Sequence, residues 1–262
     1  MGVAALISLD GIHHSYRVQR RPWSRPQVTV GLDGVDLELH ADEVLAVVGD
    51  SGSGKSTLAR VAAGLLRPDR GRALYEGQDS AGFDEARWRQ HRRFVQLVFQ
   101  EAAAALDPLM RVRDIIEQPL HIQGMPVSGA AERLAKKVQL ELSTLERFVH
   151  QLSGGQKRRV GLARALGLCP KVMVLDEPLA SLDASGAAHI LQLLSRVRDS
   201  QGLAMLWVTH DLRAVQSFAT RVAVLERGRV VEAGPVERVL GAPRHAKTQD
   251  LLAAMPPVFA RG

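Results

Sequence analysis

Residues 43–66 read EVLAVVGDSGSGKSTLARVAAGLL, and no other stretch constrains the possible folds as tightly. Val44 to Val48 form a short β-branched run without polar alternation, the pattern of a strand buried on both faces. The run stops at Gly49, and residues 49–56 then follow the pattern of Gly, four residues, Gly-Lys-Ser. Apolar residues return at helical spacing in TLARVAAGLL and end near Gly64 and Pro68. The order is therefore strand, glycine loop, helix. Gly49, Gly52 and Gly54, with Asp50, Ser51 and Ser53 between them, let the backbone curl so that successive N–H groups point at one phosphate chain, and the helix that follows adds its positive end. Lys55 is spaced to reach β- and γ-phosphates, and the Ser56 hydroxyl to ligate Mg²⁺.

The remaining chain supplies the sheet that such a loop needs. FVQLVFQ, KVMVLDEP and LAMLWVTHD read as further buried strands, and AAHILQLLSRVRDS as a helix between the last two. Alternation of this kind predicts a parallel sheet covered on both faces. Residues 3–9 and 35–39 read as short strands with PWSRPQ as an exposed loop between them, and RVAVLERGRVVEAG as a hairpin about Arg227-Gly228. Residues 111–150 carry helical patterns broken by QGMPVSG, a helical insert, and the last 25 residues or so read as a short helical tail.

Hydrolysis of a bound phosphate chain needs a metal anchor and a way to activate water. VMVLDE, residues 172–177, is a strand ending in two carboxylates, with Asp176 suited to the Mg²⁺ shell and Glu177 to polarising attacking water. His210 closes the next apolar run, at the same predicted sheet edge, as a γ-phosphate contact or a partner of Glu177. Gln100 ends VFQ where the sheet hands over to the insert, within reach of metal or water.

QLSGGQKRR, residues 151–159, adds exposed N–H groups, the Ser153 hydroxyl and a helix N-terminus, which together make a second anion site. No second nucleotide motif accompanies it, so the ligand belongs to a partner: two chains facing head to tail, each presenting this stretch to the other's ATP. Lys157, Arg158 and Arg159 are read as the start of the helix and its polar face.

Composition narrows the partners. The 262 residues are 46% hydrophobic and 24% charged, which suits a globular body rather than disorder. A net charge of +6 favours anions, whether nucleotides, nucleic acid or an acidic membrane. Arg17, Arg20, Arg21 and Arg25, and Arg87, Arg89, Arg92 and Arg93 around Trp88, are read as solvated surface because no nucleic-acid recognition motif accompanies them. The single Cys169 excludes an internal disulfide or a multi-cysteine metal site and suits a reducing compartment. No apolar run approaches the roughly 20 residues of a membrane helix, and MGVAALISLD lacks the features of a secretion signal, so a soluble protein is expected.

Taken together, these motifs resemble the ATP-binding subunits of ABC transporters, from about residue 6 to residue 240. The resemblance implies a P-loop NTPase of α/β class, with a mostly parallel core sheet, an antiparallel β subdomain and a helical insert. Residues 1–262 then form a single ABC ATPase domain: 1–100 and 166–240 as a RecA-like core with the β subdomain, 101–165 as the helical subdomain and 241–262 as a short tail. By that resemblance Gly49 through Thr57 are the phosphate loop, Gln100 the glutamine loop, and Leu152, Ser153, Gly154, Gly155 and Gln156 the signature. Asp176 is the metal aspartate, Glu177 the catalytic base, Ser181 through Asp183 the SLD loop, and His210 the switch histidine. Tyr16 falls where an aromatic residue stacks on adenine.

Within that family, VFQ followed by LDP, the WVTHDL run and the tail RHAKTQDLLAAMP look like the dipeptide, oligopeptide and nickel importer group. EAAAA after the glutamine and HAKT in place of HPYT depart from that group's pattern. The resemblance implies ATP and Mg²⁺ as cofactors, a second and different ATPase subunit, two membrane permeases and a substrate-binding protein. It also implies a place on the cytoplasmic face of the inner membrane. The competing reading is a soluble ABC-type ATPase acting on nucleic acid or ribosomes. One phosphate loop, no sustained heptads and one cysteine oppose it, while the intact Glu177 and His210 oppose a silent regulatory subunit.

Overall fold

The computed structural model describes residues 4–19, 27–99, 106–180 and 182–255. These form two compact units, one from residues 1–81 and 206–262, the other from residues 82–205.

In the first unit, β1 (Ile7–Val18) pairs antiparallel with β2 (Gln27–Leu39), and the chain returns after the phosphate loop to add β4 (Arg70–Tyr75) and β5 (Gln78–Asp79) in the order β2-β1-β4-β5. Both long strands extend past the predicted short ones. The extension escapes the hydrophobic pattern because Gln27–Val30 are exposed, and β2 buries strictly alternate residues only from Val35 to Leu39. β3 (Val44–Val48) is buried throughout and lies parallel to β9 (Arg221–Glu226), with Leu45 opposite Arg221 and Val48 opposite Val224. Residues with apolar neighbours on both faces need no alternation, which is why EVLAVVG carries none. β9 turns at Arg227 and Gly228 into antiparallel β10 (Arg229–Pro235), as the sequence predicts.

Helix α1 (Lys55–Ala62) presents Leu58, Val61 and Ala62 to the core, and the buried Tyr75 hydroxyl donates to the Val61 carbonyl at 2.9 Å. Burial pushes the pKa of that hydroxyl well up. Strand β8 (Ala204–Val208) carries the boundary between the units, and its Trp207 is fully buried, edge-on to Phe218 of α7 (Leu212–Phe218) at 5.4 Å. The tail consists of two helices, α8 (Val236–Gly241) and α9 (Ala246–Ala253).

The second unit holds β6 (Val95–Val98) parallel to β7 (Val172–Asp176), with Val95 opposite Val172. The basic stretch around Trp88 is helix α2 (Glu85–Phe94), started by Asp84 and packed through Phe83, Trp88 and His91. The predicted helical insert contains α3 (Val112–Ile122) and α4 (Ala130–Lys137), with the expected break between them. Both pack on α5 (Gly154–Leu166). Arg113 ties the insert together by donating to Glu132 at 2.6 Å and Glu146 at 3.1 Å. The predicted helix after β7 is α6 (Ala184–Gln201).

Candidate functional site

In the first unit the turn from β3 to α1 has the form a phosphate cradle requires. Gly54 sits at φ 109°, and a Cβ there would stand 2.2 Å from the Gly31 carbonyl oxygen, so no other residue fits. It is also the N-cap of α1, and as glycine it offers no side chain to cap the helix's first N–H groups. Lys55, only 7% exposed, folds back to donate from Nζ to the carbonyl oxygens of Gly49 (2.9 Å) and Asp50 (2.7 Å). The Ser53 hydroxyl is buried with no hydrogen-bond partner among the described residues. An unsatisfied buried hydroxyl costs about 1–3 kcal/mol, so a phosphate oxygen is a fitting acceptor for it. Asp50, Ser51 and Gly52 form the exposed crest of the loop, and Ser56 is half-buried on the first turn of the helix.

Neighbouring strands brace this loop. The turn of the β9–β10 hairpin donates from Gly228 N–H to the Ser53 carbonyl at 2.8 Å and accepts from Asp33 N–H at 2.8 Å. Tyr16 reaches the cradle from β1, its hydroxyl 3.2 Å from that of Thr57 and its ring edge-on to His14. Thr209 N–H donates to the Val47 carbonyl at 3.1 Å, which sets the exposed His210 one residue beyond a bond to the strand that enters the loop.

In the second unit Asp176 ends the wholly apolar run of β7 and is itself 5% exposed. Glu177 follows in the left-handed region at φ 50°, an unfavourable conformation for a residue with a Cβ and one concentrated at functional sites. Its carbonyl accepts from Ala180 N–H at 3.1 Å, closing the turn that leads to Asp183. Asp183 caps α6 through Gly186 N–H at 2.8 Å.

Ser153 and Gln156 form a reciprocal capping box. Gln156 N–H donates to the Ser153 hydroxyl at 3.3 Å, and Ser153 N–H to the Gln156 amide oxygen at 3.0 Å. Helix α5 therefore begins at Gly154, three residues before the predicted start at Lys157, and Gly154 and Gly155 form its first turn. The cap needs only Ser at N-cap and Gln at N3, which outweighs the low helix propensity of two glycines. Two of the three basic residues read as the helix's polar face also bond to neighbouring segments. Arg158 donates to the Ala180 carbonyl and Arg159 to the Gln139 carbonyl, each at 2.7 Å.

Gln100 and Ser181 lie outside the described residues. Among the described residues no three His, Cys, Asp or Glu side chains gather into a metal cage. Ser56 and Asp176 are hard oxygen donors, the kind Mg²⁺ takes alongside water and phosphate oxygens. Three residues that shape these loops escaped sequence reading: Gly31, Gly228 and Lys247. Only the hairpin signal at Arg227-Gly228 pointed toward one of them.

Residues 32–180 match the sequence profile of the family described as ABC transporter. The chain belongs to that family. Among curated relatives, this ABC ATPase is 37% identical to the oligopeptide transport ATP-binding protein OppF of Salmonella typhimurium, over 89% of this chain and 72% of that one. It is also 37% identical to the dipeptide transport ATP-binding protein DppF of Haemophilus influenzae, over 96% and 78% of the two chains. Among solved structures, the ATP-binding cassette MJ0796, in a dimeric post-hydrolysis state bound to ADP and Pi, superposes with a TM-score of 0.78 at 27% identity, covering 88% of this chain and 98% of that one. CbiO1 from Clostridium perfringens, part of the ABC transporter complex cbiONQ, gives 0.77 at 27% identity, over 91% and 92%. The expected P-loop fold and the assignment as an ATP-hydrolysing subunit hold.

Proposed function

We infer that this ABC ATPase is the motor subunit of a peptide importer, driving uptake through membrane permeases by closing and reopening on ATP. The observation that carries the reading is 37% identity to oligopeptide and dipeptide transport ATP-binding proteins along nearly the whole chain. It is joined to a phosphate loop folded for its task, with Lys55 on the loop's own carbonyls.

On this reading Gly49 through Thr57 hold the phosphates of ATP and Tyr16 stacks on its adenine. Ser56, Asp176 and Gln100 hold Mg²⁺, which when bound neutralises charge on the phosphate oxygens. Glu177 accepts a proton from the attacking water, held in place by its unusual backbone, and His210 contacts the γ-phosphate. Ser153, Gly154, Gly155 and Gln156, with Asp183, face the ATP of a partner ATPase subunit. The Ser153 hydroxyl accepts a bond within the capping box, so its own proton remains to be donated to a phosphate oxygen.

The same reading assigns 1–100 and 166–240 to the nucleotide-binding core, 101–165 to a helical subdomain and 241–262 to a tail. In the second unit a groove of about 270 Å³, lined by Phe99, Leu106, Pro119, Ile122, Ala165 and Leu168 with Arg92 and Arg164 at its polar positions, supports the permease contact. Ile122 is 68% exposed there, an apolar side chain of the kind a docking helix covers. Among the described residues no helix is long and apolar enough to cross a membrane, so the place proposed for the subunit is the inner face of the membrane, held by permeases. A second, different ATPase subunit and a substrate-binding protein complete the system.

The test is purification of the tagged chain with its membrane partners, reconstitution in liposomes and measurement of ATP turnover. Stimulation by peptide-loaded binding protein is expected. Stimulation by a nickel chelate alone would move the substrate assignment to metal, and stimulation by RNA or ribosomes without membrane partners would replace the transport reading.

A further inference from the structure

The phosphate loop carries an acidic side chain, Asp50, at its exposed crest. A carboxylate there opposes the approach of a polyanion, since like charges repel across several ångströms even in water-like surroundings. The fold answers this charge from the far end of the chain. Lys247, on the first turn of α9, forms an ion pair between its Nζ and Asp50 Oδ2. Asp50 is thereby held by two ammonium groups, Lys55 at its backbone carbonyl and Lys247 at its carboxylate.

Lys247 is not a loose surface lysine that happens to fall nearby. Its side chain is 15% exposed. The segment that bears it is fastened to β10 by one carboxylate: Glu232 accepts from Arg244 N–H at 3.0 Å, from His245 N–H at 3.1 Å and from the Thr248 hydroxyl at 2.6 Å. Those bonds fix the start of α9, and Thr248 is buried. β9, which runs into β10, packs its Leu225 carbonyl so closely on Gly49 that a Cβ there would come within 2.2 Å. One hairpin therefore positions both the loop and the tail. Asp50 beside it, with Glu226 and Asp250 farther off, holds the Lys247 ammonium above the usual lysine range.

We propose that Lys247 is a positioning residue for ATP binding: by pairing with Asp50 it cancels an acidic charge on the phosphate loop and holds that side chain clear of the incoming phosphates, so that the C-terminal tail sets nucleotide affinity. This rests on the reading of residues 49–57 as the ATP cradle, and the test separates the two. The Mg²⁺ complex of a non-hydrolysable ATP analogue, AMP-PNP, is titrated calorimetrically into the full chain and its variants at low salt and at about 0.5 M salt. Lys247→Met, which leaves Asp50 uncompensated, is expected to weaken binding roughly three- to tenfold at low salt, with a smaller effect at high salt. Lys247→Arg should bind as the parent chain does. Asp50→Asn placed on Lys247→Met should restore affinity to within about twofold, because the charge to be cancelled is gone.

A lysine that only stabilised α9 would lower the melting temperature of Lys247→Met without rescue of affinity by Asp50→Asn, and that result overturns the proposal. Unchanged affinity in Lys247→Met also overturns it, provided Lys55→Ala loses binding. If Lys55→Ala binds normally too, the cradle reading itself fails.

Discussion

Arg158, on the second turn of α5, donates from its guanidinium to the carbonyl oxygen of Ala180 at 2.7 Å. The helix that opens with Ser153 and the turn that begins at Glu177 are thus joined by one bond within the second unit. Burial lowers the Arg158 pKa, and the carbonyl contact gives the half-buried cation a partner there.

Arg158→Met should therefore cost about 1–3 kcal/mol, the usual loss when a hydrogen bond to a charged group is removed from a half-buried place. Urea unfolding of the full chain measures this. ATP turnover should fall more than ATP affinity, because the bond positions Glu177 rather than the phosphate loop; equal losses in both would argue against that link.

Glu177→Gln keeps the shape of the side chain and the backbone turn but removes the proton acceptor. ATP binding should persist while turnover falls by roughly 10²- to 10⁴-fold, the usual worth of a general base. Parallel binding and steady-state hydrolysis measurements decide it, and normal turnover would remove Glu177 from the role of base.

Ser153→Ala deletes half of the capping box and should destabilise α5 by about 1 kcal/mol. Ser153→Arg adds a bulky cation at the exposed helix start. It should impair hydrolysis at the partner subunit's ATP more than nucleotide binding by this chain, read from nucleotide-dependent dimer formation in size-exclusion chromatography. Unchanged dimer formation would count against the head-to-tail arrangement.

Two loop glycines should respond differently to alanine. Gly54→Ala brings a Cβ to 2.2 Å from the Gly31 carbonyl oxygen, in addition to φ 109°, and should cost about 3 kcal/mol or more along with ATP binding. Gly52 has φ 78° and open space about it, so Gly52→Ala should cost only about 1–2 kcal/mol, the penalty of the left-handed backbone alone. Thermal melting of the two variants separates the clash from the strain.

Acid should loosen the tail. Burial raises the Glu232 pKa, but bonds from the Thr248 hydroxyl and the Arg244 and His245 N–H groups outweigh it, and the net position is below the ordinary glutamate value. A carboxylate depressed in this way contributes stability that is present above its unfolded pKa, near 4.3, and is lost as pH falls through the lower folded value. The protection of the α9 amides from hydrogen exchange, relative to the intrinsic rate at each pH, should fall over that acidic range in the parent chain. In Glu232→Gln it should already be low at neutral pH.

The glycine loop after β3, the carboxylates Asp176 and Glu177 at the end of β7 and the Ser153 stretch were all legible in the sequence, because each is a local device. A glycine loop needs only its own φ angles and a following helix, and a capping box needs only two residues three apart. The start of α5 was misread because the glycines of that box looked like an interruption, when they are its first turn. β1 and β2 were underestimated because the strands run on past the core, through residues such as Val28 and Val30 whose apolar side chains are exposed.

What the sequence determined by itself was a set of local devices: a glycine loop between a strand and a helix, two carboxylates at the end of another strand, and a serine-capped helix start. What only the tertiary structure decided was which distant groups, backbone as well as side chain, brace those devices. Gly31 limits Gly54 to glycine, Gly228 pins Ser53, and Lys247 meets Asp50 across 197 residues of chain. Local patterns report the conformation a segment prefers. Contacts of this kind arise only when strand pairing and the packing of the β9–β10 hairpin bring remote segments together.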